Sequence, residues 1–460
     1  MKTIDSTAWA PFVPTLDDPW DLRKVAHLHR RAGFGATRAE LERDVAAGPA
    51  ESVGRFLNPS DPSADERSVR EGLRTGAVGS SDPRRLRAYW LYRMLFGGDP
   101  LRERLTLFWH GHFATSLTKV DSVTALGVQM DTLRERALGG FAGLLDAMIA
   151  DPAMLVWLDG GTSRREQPNE NFAREFLELF TLGEGAYSER DIREVARAFT
   201  GWVYEGGMRT PGDSNPKFAF DDEAHDPGAK TFLGQTGSWK GADIVRMTLV
   251  RPEAAQHLAR KLYRAFVAEE PDPLPELIEP LADSLRSSDY SISQVMHVIL
   301  RSRYFYSKAS YRRRIKSPVE FTVGLLRMLE VPRHNVNLLA AAAACTKQGQ
   351  ELFAPPNVNG WQGGMHWINS SSLLERLNWA TDVVWGNPDR GVLPFDPAAW
   401  LDAHDVKLDQ GAGAFVNLLL QDDLATESNN LVLAACRDRS LTGLRKALQR
   451  VLHCPEFQLA

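Results

Sequence analysis

Apolar side chains recur every third or fourth position along most of the chain, and capping chemistry marks where each recurrence begins. Ser317-Pro318-Val319-Glu320 sets a hydroxyl, a proline at the first helical position and a carboxylate two residues on, ahead of a stripe through Phe321, Leu325 and Leu329. Ser188-Glu189-Arg190-Asp191 opens a second helix in the same way, with Ile192, Val195, Ala196 and Phe199 on its inner face. The same reading predicts helices around 21–32, 38–57, 84–95, 101–110, 122–138, 141–149, 169–182, 241–265, 274–286, 292–302, 334–347 and 371–384. The expected fold is mostly α, a multi-helix globular body with long irregular loops and at most a small β-hairpin, taken as a single helical domain over 1–460.

Three stretches break the period. Residues 202–240 are rich in Gly, Pro, Asp and aromatics, with short extended candidates at 202–204, 217–220 and 230–233. An irregular segment of that length inside a compact helical body is uncommon unless it covers a site, and its aromatic content predicts an ordered insertion over one. Residues 353–368, FAPPNVNGWQGGMHWI, cannot be helical with adjacent prolines and three glycines. Residues 60–82 are polar and rich in Ser and Gly, and are expected to be a mobile surface connection.

Composition narrows the function classes. Fifty-four Lys and Arg against 59 Asp and Glu leave a charge of -5, so no global field recruits nucleic acid or anionic lipid. No run approaches 18 apolar residues, which excludes a helical membrane span. The opening residues lack an apolar stretch behind a basic one, which predicts a cytoplasmic protein. Cys345, Cys436 and Cys454 are odd in number and dispersed, so reduced thiols are expected and any metal must use His and carboxylate.

Candidate chemistry concentrates in three places. Phe108-Trp109-His110-Gly111-His112 ends an apolar helix. Were the helix to continue, the two imidazoles would point about 200° apart. Were Gly111 to leave helical geometry, they would share a face and clamp one ion. The alternative is a core histidine beside one that caps the helix C-terminus. In Pro168–Phe180, Phe172, Phe176, Leu179 and Phe180 form an apolar stripe, while Asn171, Arg174, Glu175 and Glu178 line the opposite face. That face is either solvated, with Glu170 paired to Arg174, or brings Glu175 and Glu178 to a metal or to acid–base work. His225-Asp226-Pro227-Gly228-Ala229-Lys230 lies in the irregular segment, as plain turn chemistry or as a catalytic loop. No serine-hydrolase elbow, Walker loop or dinucleotide fingerprint is present.

Taken in order, HLHRRAGFGATRAELE at 27–42, LTLFWHGHFATSLTKV at 105–120, DPAMLVWLDG at 151–160, PNENFAREFLELFTLGEGAYSERDIREVARAFTGW at 168–202, HDPGAKTFLG at 225–234, KSPVEF at 316–321 and LFAPPNVNGWQGGMHWI at 352–368 span nearly the whole chain. Together they resemble domain-of-unknown-function family 1800, an uncharacterised bacterial family. The resemblance implies no particular activity, but its polar signature stretches coincide with the three constellations. The leading expectation is a metal-dependent enzyme acting on a small organic molecule, with oxidoreductase chemistry favoured. His110, His112 and Glu175 would hold Fe, Mn or Zn; Glu178, Arg174, His225, Asp226 and Lys230 would serve catalysis. The alternatives are a metal-dependent hydrolase, or a non-catalytic sugar- or peptide-binding or scaffold protein presenting Trp361 and Trp367.

Overall fold

The computed structural model describes residues 7–205, 215–435 and 440–460. These form twenty-three α-helices and two small antiparallel two-stranded sheets, so the fold is mostly α. Six helices carry or flank the candidate chemistry: α1 (Leu22–Ala32), α2 (Pro100–His112), α3 (Glu170–Glu175), α4 (Glu189–Ala198), α5 (Pro252–Phe266) and α6 (Pro318–Met328).

Capping chemistry identifies helix starts well. Ser317 and Glu320 form a reciprocal capping box at α6, and Ser188 and Asp191 form one at α4. Elsewhere glycine and proline cut the predicted spans. The 38–57 span splits at Gly48 into Arg38–Ala47 and Pro49–Leu57, and the 241–265 span divides into Gly241–Leu249 and α5. The 60–82 stretch is not a structureless connection. Ser63 and Glu66 form a capping box, and Ala64–Gly79 is a helix of 16 residues whose buried residue is Ala77. Four helices from Pro397 to His453 lie beyond the last predicted one.

Inside 202–240 the strands exceed a single hairpin. β1 (Trp202–Tyr204) pairs with β2 (Phe218–Phe220), and β3 (Lys230–Phe232) with β4 (Gln235–Gly237) through a two-residue turn. The segment is ordered in its described parts; residues 206–214 lie outside the described residues.

Two apolar cores fill the helical body. One gathers Leu28, Trp109, Phe113, Phe141, Phe176, Phe199, Leu262 and Phe266; the other Val25, Trp90, Phe321, Trp379, Phe415 and Leu448. Each such side chain contributes roughly 1.5–3 kcal/mol on burial. α1 and α2 contribute to both cores, Leu28 against Val25 in one helix and Trp109 against Leu107 in the other. The two helices therefore run along the seam, and their polar residues end up deep inside the protein.

Candidate functional site

The last turn of α2 stays helical through Gly111 to His112, with the Phe113 N–H closing on the Trp109 carbonyl. The extended clamp is thereby excluded, and the two imidazoles face different neighbours. His110 Nε2 accepts the Phe353 N–H at 3.0 Å, beneath the rings of Trp90, Phe353 and Trp361. Burial lowers its pKa to about 3, so it is neutral, with its proton on Nδ1. The 353–368 loop can lie this close because Gly360, at φ +73°, rests on the Gly111 carbonyl where a Cβ would collide.

His112 looks the other way. Lys261 Nζ, on α5, lies 3.0 Å from His112 Nδ1 and donates to the Leu179 carbonyl at 2.8 Å; His257 Nε2 donates to the same carbonyl at 3.1 Å. That carbonyl is free because the predicted 169–182 helix is not α throughout. After α3 the chain widens into a π turn, Phe176–Thr181. Within it Leu177 O takes the N–H groups of both Leu182 and Gly183, and the Thr181 hydroxyl covers Phe176 O. Such turns are rare and occur frequently at functional sites. Gly183, at φ +79°, would place a Cβ 2.8 Å from His257 Nδ1, so only glycine fits there.

The electrostatics of this centre are unusual because, among the described residues, no carboxylate takes part. Burial lowers Lys261 to about 7. Burial, with the Lys261 charge second, lowers His257 to about 4 and holds His112 well below the ordinary imidazole value. Since the amine donates, His112 accepts on Nδ1 and carries its hydrogen on Nε2. That Nε2–H is buried without a partner, the Phe180 carbonyl facing it outside hydrogen-bond geometry. Around it stand Phe108, Trp109, Phe113, Phe141 and Phe180. The arrangement holds two imidazoles uncharged beside an amine that titrates near 7, and leaves one N–H unspent.

The polar face of α3 and the π turn lies alongside, with different pairings from those expected. Arg174 makes a two-pronged contact with Glu189 at 2.8 Å for each bond, with side chains 39% and 70% exposed. Asp191 and Glu194 accept the Leu233 and Thr231 N–H groups of the loop. Glu178 accepts from the Tyr187 hydroxyl at 3.2 Å. Glu175 is half-buried, and desolvation followed by the nearby Glu178 raises its pKa. Among the described residues no group of three or more His, Cys, Asp and Glu side chains is placed to hold a metal ion. His110 Nε2 and His112 Nδ1 are both engaged, so His110, His112 and Glu175 do not form a ligand set in this arrangement.

The third constellation is a packed flap. His225 Nδ1 donates to the Thr200 carbonyl at 2.9 Å. Asp226 is clamped by Arg197 at 2.6 Å and by the Gly228 N–H at 2.8 Å. Lys230 Nζ donates to the carbonyls of Asp226 and Gly228. The partners of all three lie on α4, on its C-terminal turn or on the flap itself, so the structure does not bring them to His112. Of the flap aromatics Phe232 is buried, Phe218 packs at a tilt against Tyr204, and Phe220 stays exposed.

Sequence reasoning missed His257 and Lys261. The one signal was their i, i+4 spacing on a helix whose neighbouring positions Leu258 and Leu262 are apolar. The chain belongs to the family described as a protein of unknown function (DUF1800), whose model matches residues 27–459. No curated protein and no solved structure matches it.

Proposed function

We propose that the chain is an enzyme that delivers a proton to a small organic molecule, with the protonated Lys261 amine as acid and the His112 imidazole as its relay. The observation that carries this reading is a lysine amine hydrogen-bonded to a buried neutral histidine, with no carboxylate to keep it charged. A desolvated amine whose pKa lies near 7 gives up its proton readily at neutral pH. His112 can pass its Nε2 proton to a reacting atom while Nδ1 takes one from the Lys261 ammonium, which is left as the neutral amine and is reprotonated before the next turnover. The Leu179 carbonyl fixes the amine, and aromatic rings surround the His112 imidazole.

A His and carboxylate metal shell does not fit these donors, and no step is routed through a metal. Two measurements test the reading. In protein carrying 13Cε-labelled lysine, one resonance, absent in Lys261→Met, is expected to titrate near pH 7. An ordinary lysine titration at this position overturns the proposal. Metal analysis of the purified protein decides the alternative: stoichiometric Fe, Mn or Zn, lost in His112→Ala, would replace proton transfer by metal-dependent redox or hydrolytic chemistry.

A further inference from the structure

α1 buries Arg30 and Arg31 along with His29, and the His29 imidazole lines a cavity of about 340 Å³. That volume lies in the range of pockets that hold small organic ligands. His29 is only 4% exposed. Its Nε2 is tied to Asp44 Oδ2 at 2.7 Å, and Asp44, fully buried, is held in turn by Arg43 and Arg55. Phe56 stands edge-on to the imidazole, with ring centroids 4.9 Å apart. The ring is thereby fixed, and the bond at one nitrogen sets what the other presents. That other nitrogen, Nδ1, makes no hydrogen bond and is not sealed in by its neighbours.

The walls carry charge of both signs, and most of it is spent. Glu40 accepts from Arg327 and from the Thr37 N–H, Glu66 closes the capping box at Ser63, and Arg43 and Arg55 are committed to Asp44. Arg70 and Asp61 are left over. Arg70, partly buried, makes no hydrogen bond and no ion pair among the described residues; Glu66 feels its charge from beyond contact range. Its Nη2 lies beside the Gly97–Gly98 turn, 3.8 Å from where a Cβ on Gly98 would stand. Asp61, exposed in the segment that leads to the Ala64–Gly79 helix, is equally without a partner. That helix turns Arg70 toward the cavity while Val69 and Leu73 are 47% and 41% exposed, the reverse of an ordinary amphipathic helix. What it faces here is a polar cavity and not a core.

We infer that this cavity binds a small zwitterion, an α-amino acid or a dipeptide, with its carboxylate on Arg70, its ammonium on Asp61 and its remaining polar atoms toward His29 Nδ1. A simple anion would be repelled by Asp61, and a simple cation by Arg70. A molecule carrying both charges answers both groups at once, through the planar guanidinium fork at one end and the carboxylate at the other. The cavity shares no residue with the Lys261 centre, so each can fail without the other.

The test is isothermal titration and thermal unfolding of the full chain with each of the standard amino acids and with dialanine, against sodium acetate and ethylammonium chloride at matched concentration. The expected result is saturable binding of at least one zwitterion, with a rise in Tm that neither acetate nor ethylammonium produces, alone or combined. Arg70→Met and Asp61→Asn, neither of which removes a hydrogen bond from the fold, should each weaken that binding by about tenfold or more and leave the ligand-free Tm in place. The 15N resonance of His29 Nδ1 should shift on saturation. The inference is overturned if no zwitterion in the series binds saturably, if acetate or ethylammonium binds as well, or if binding is unchanged in either variant. A ligand-free Tm lowered equally by both substitutions would show that Arg70 and Asp61 are spent on each other, and overturns it too.

Discussion

The centre at His112 and the flap at His225 are built from the same parts, and they differ in what is left over. Each has a histidine, a buried or nearly buried lysine and backbone carbonyls that receive the amine. In the flap every group is consumed: Lys230 bridges two carbonyls, Arg197 holds Asp226, and Asp226 compensates the lysine charge. At His112 the lysine has one carbonyl and one imidazole, no carboxylate, and the imidazole keeps an N–H without a partner. A His and Lys pairing alone therefore says little. Unspent hydrogen-bonding capacity and uncompensated charge separate a site from a well-made turn.

The largest expected effect on this contrast comes from pH. His110, His112 and His257 fold neutral with depressed pKa values, so below the ordinary value of 6.5 the unfolded chain binds protons that the folded chain refuses. Stability then falls as pH drops from about 6.5 toward 4. A depression to about 4 corresponds to roughly 3 kcal/mol, and the buried sites add to it. Chemical denaturation at a series of pH values should show this loss, reduced in His257→Gln; a flat profile between pH 7 and 4 would show that these imidazoles are not held as described.

Next in size is the effect of removing each lysine. Lys230→Met leaves the Asp226 and Gly228 carbonyls without their donor and should cost roughly 1–3 kcal/mol. Lys261→Met removes a partly buried amine with no carboxylate partner and should leave stability at pH 7 unchanged or raise it. It should also abolish the rise in stability between pH 7 and 10.5, where the unfolded lysine is protonated and the folded one is not. Equal costs for the two variants would erase the distinction between centre and flap.

Gly183→Ala comes third. A positive φ and a Cβ at 2.8 Å from His257 together predict a loss of about 1–3 kcal/mol, with a disturbed His257 resonance in NMR. The smallest effect belongs to Arg174→Lys. The exposed pair with Glu189 is worth at most about 1 kcal/mol, so Tm should move little, and a large drop would restore a site role for Arg174.

What the sequence made legible depends on how local each signal is. Capping boxes at Ser188 and Ser317 involve four consecutive residues and place their helices correctly. The WHGH motif offered two local geometries, and the choice was made by Phe353 and Lys261, far away in the chain, which give each imidazole its own partner. Nothing within Pro168–Phe180 marks the widening at Phe176, since the apolar stripe reads equally well as α. Short late helices such as Gly411–Leu420, opening GAGA, carry too little periodic contrast to stand out. The buried cations of 27–31 were passed over because arginine beside histidine at a helix end ordinarily faces water.

The π turn also resolves a problem of phase. Phenylalanines at 172, 176 and 180 are spaced by four, and on an α-helix each step of four overshoots a full turn by about 40°. Over two steps the third ring would drift roughly 80° from the first and leave the seam it shares with His112 and Phe113. Widening the backbone between Phe176 and Thr181 takes back part of that drift, so that Phe172, Phe176 and Phe180 all finish in the same core. The extra residue in the turn thus acts as a vernier: it resets the angular count of a helix whose side-chain spacing and backbone pitch do not divide evenly, and the liberated Leu179 carbonyl is the remainder.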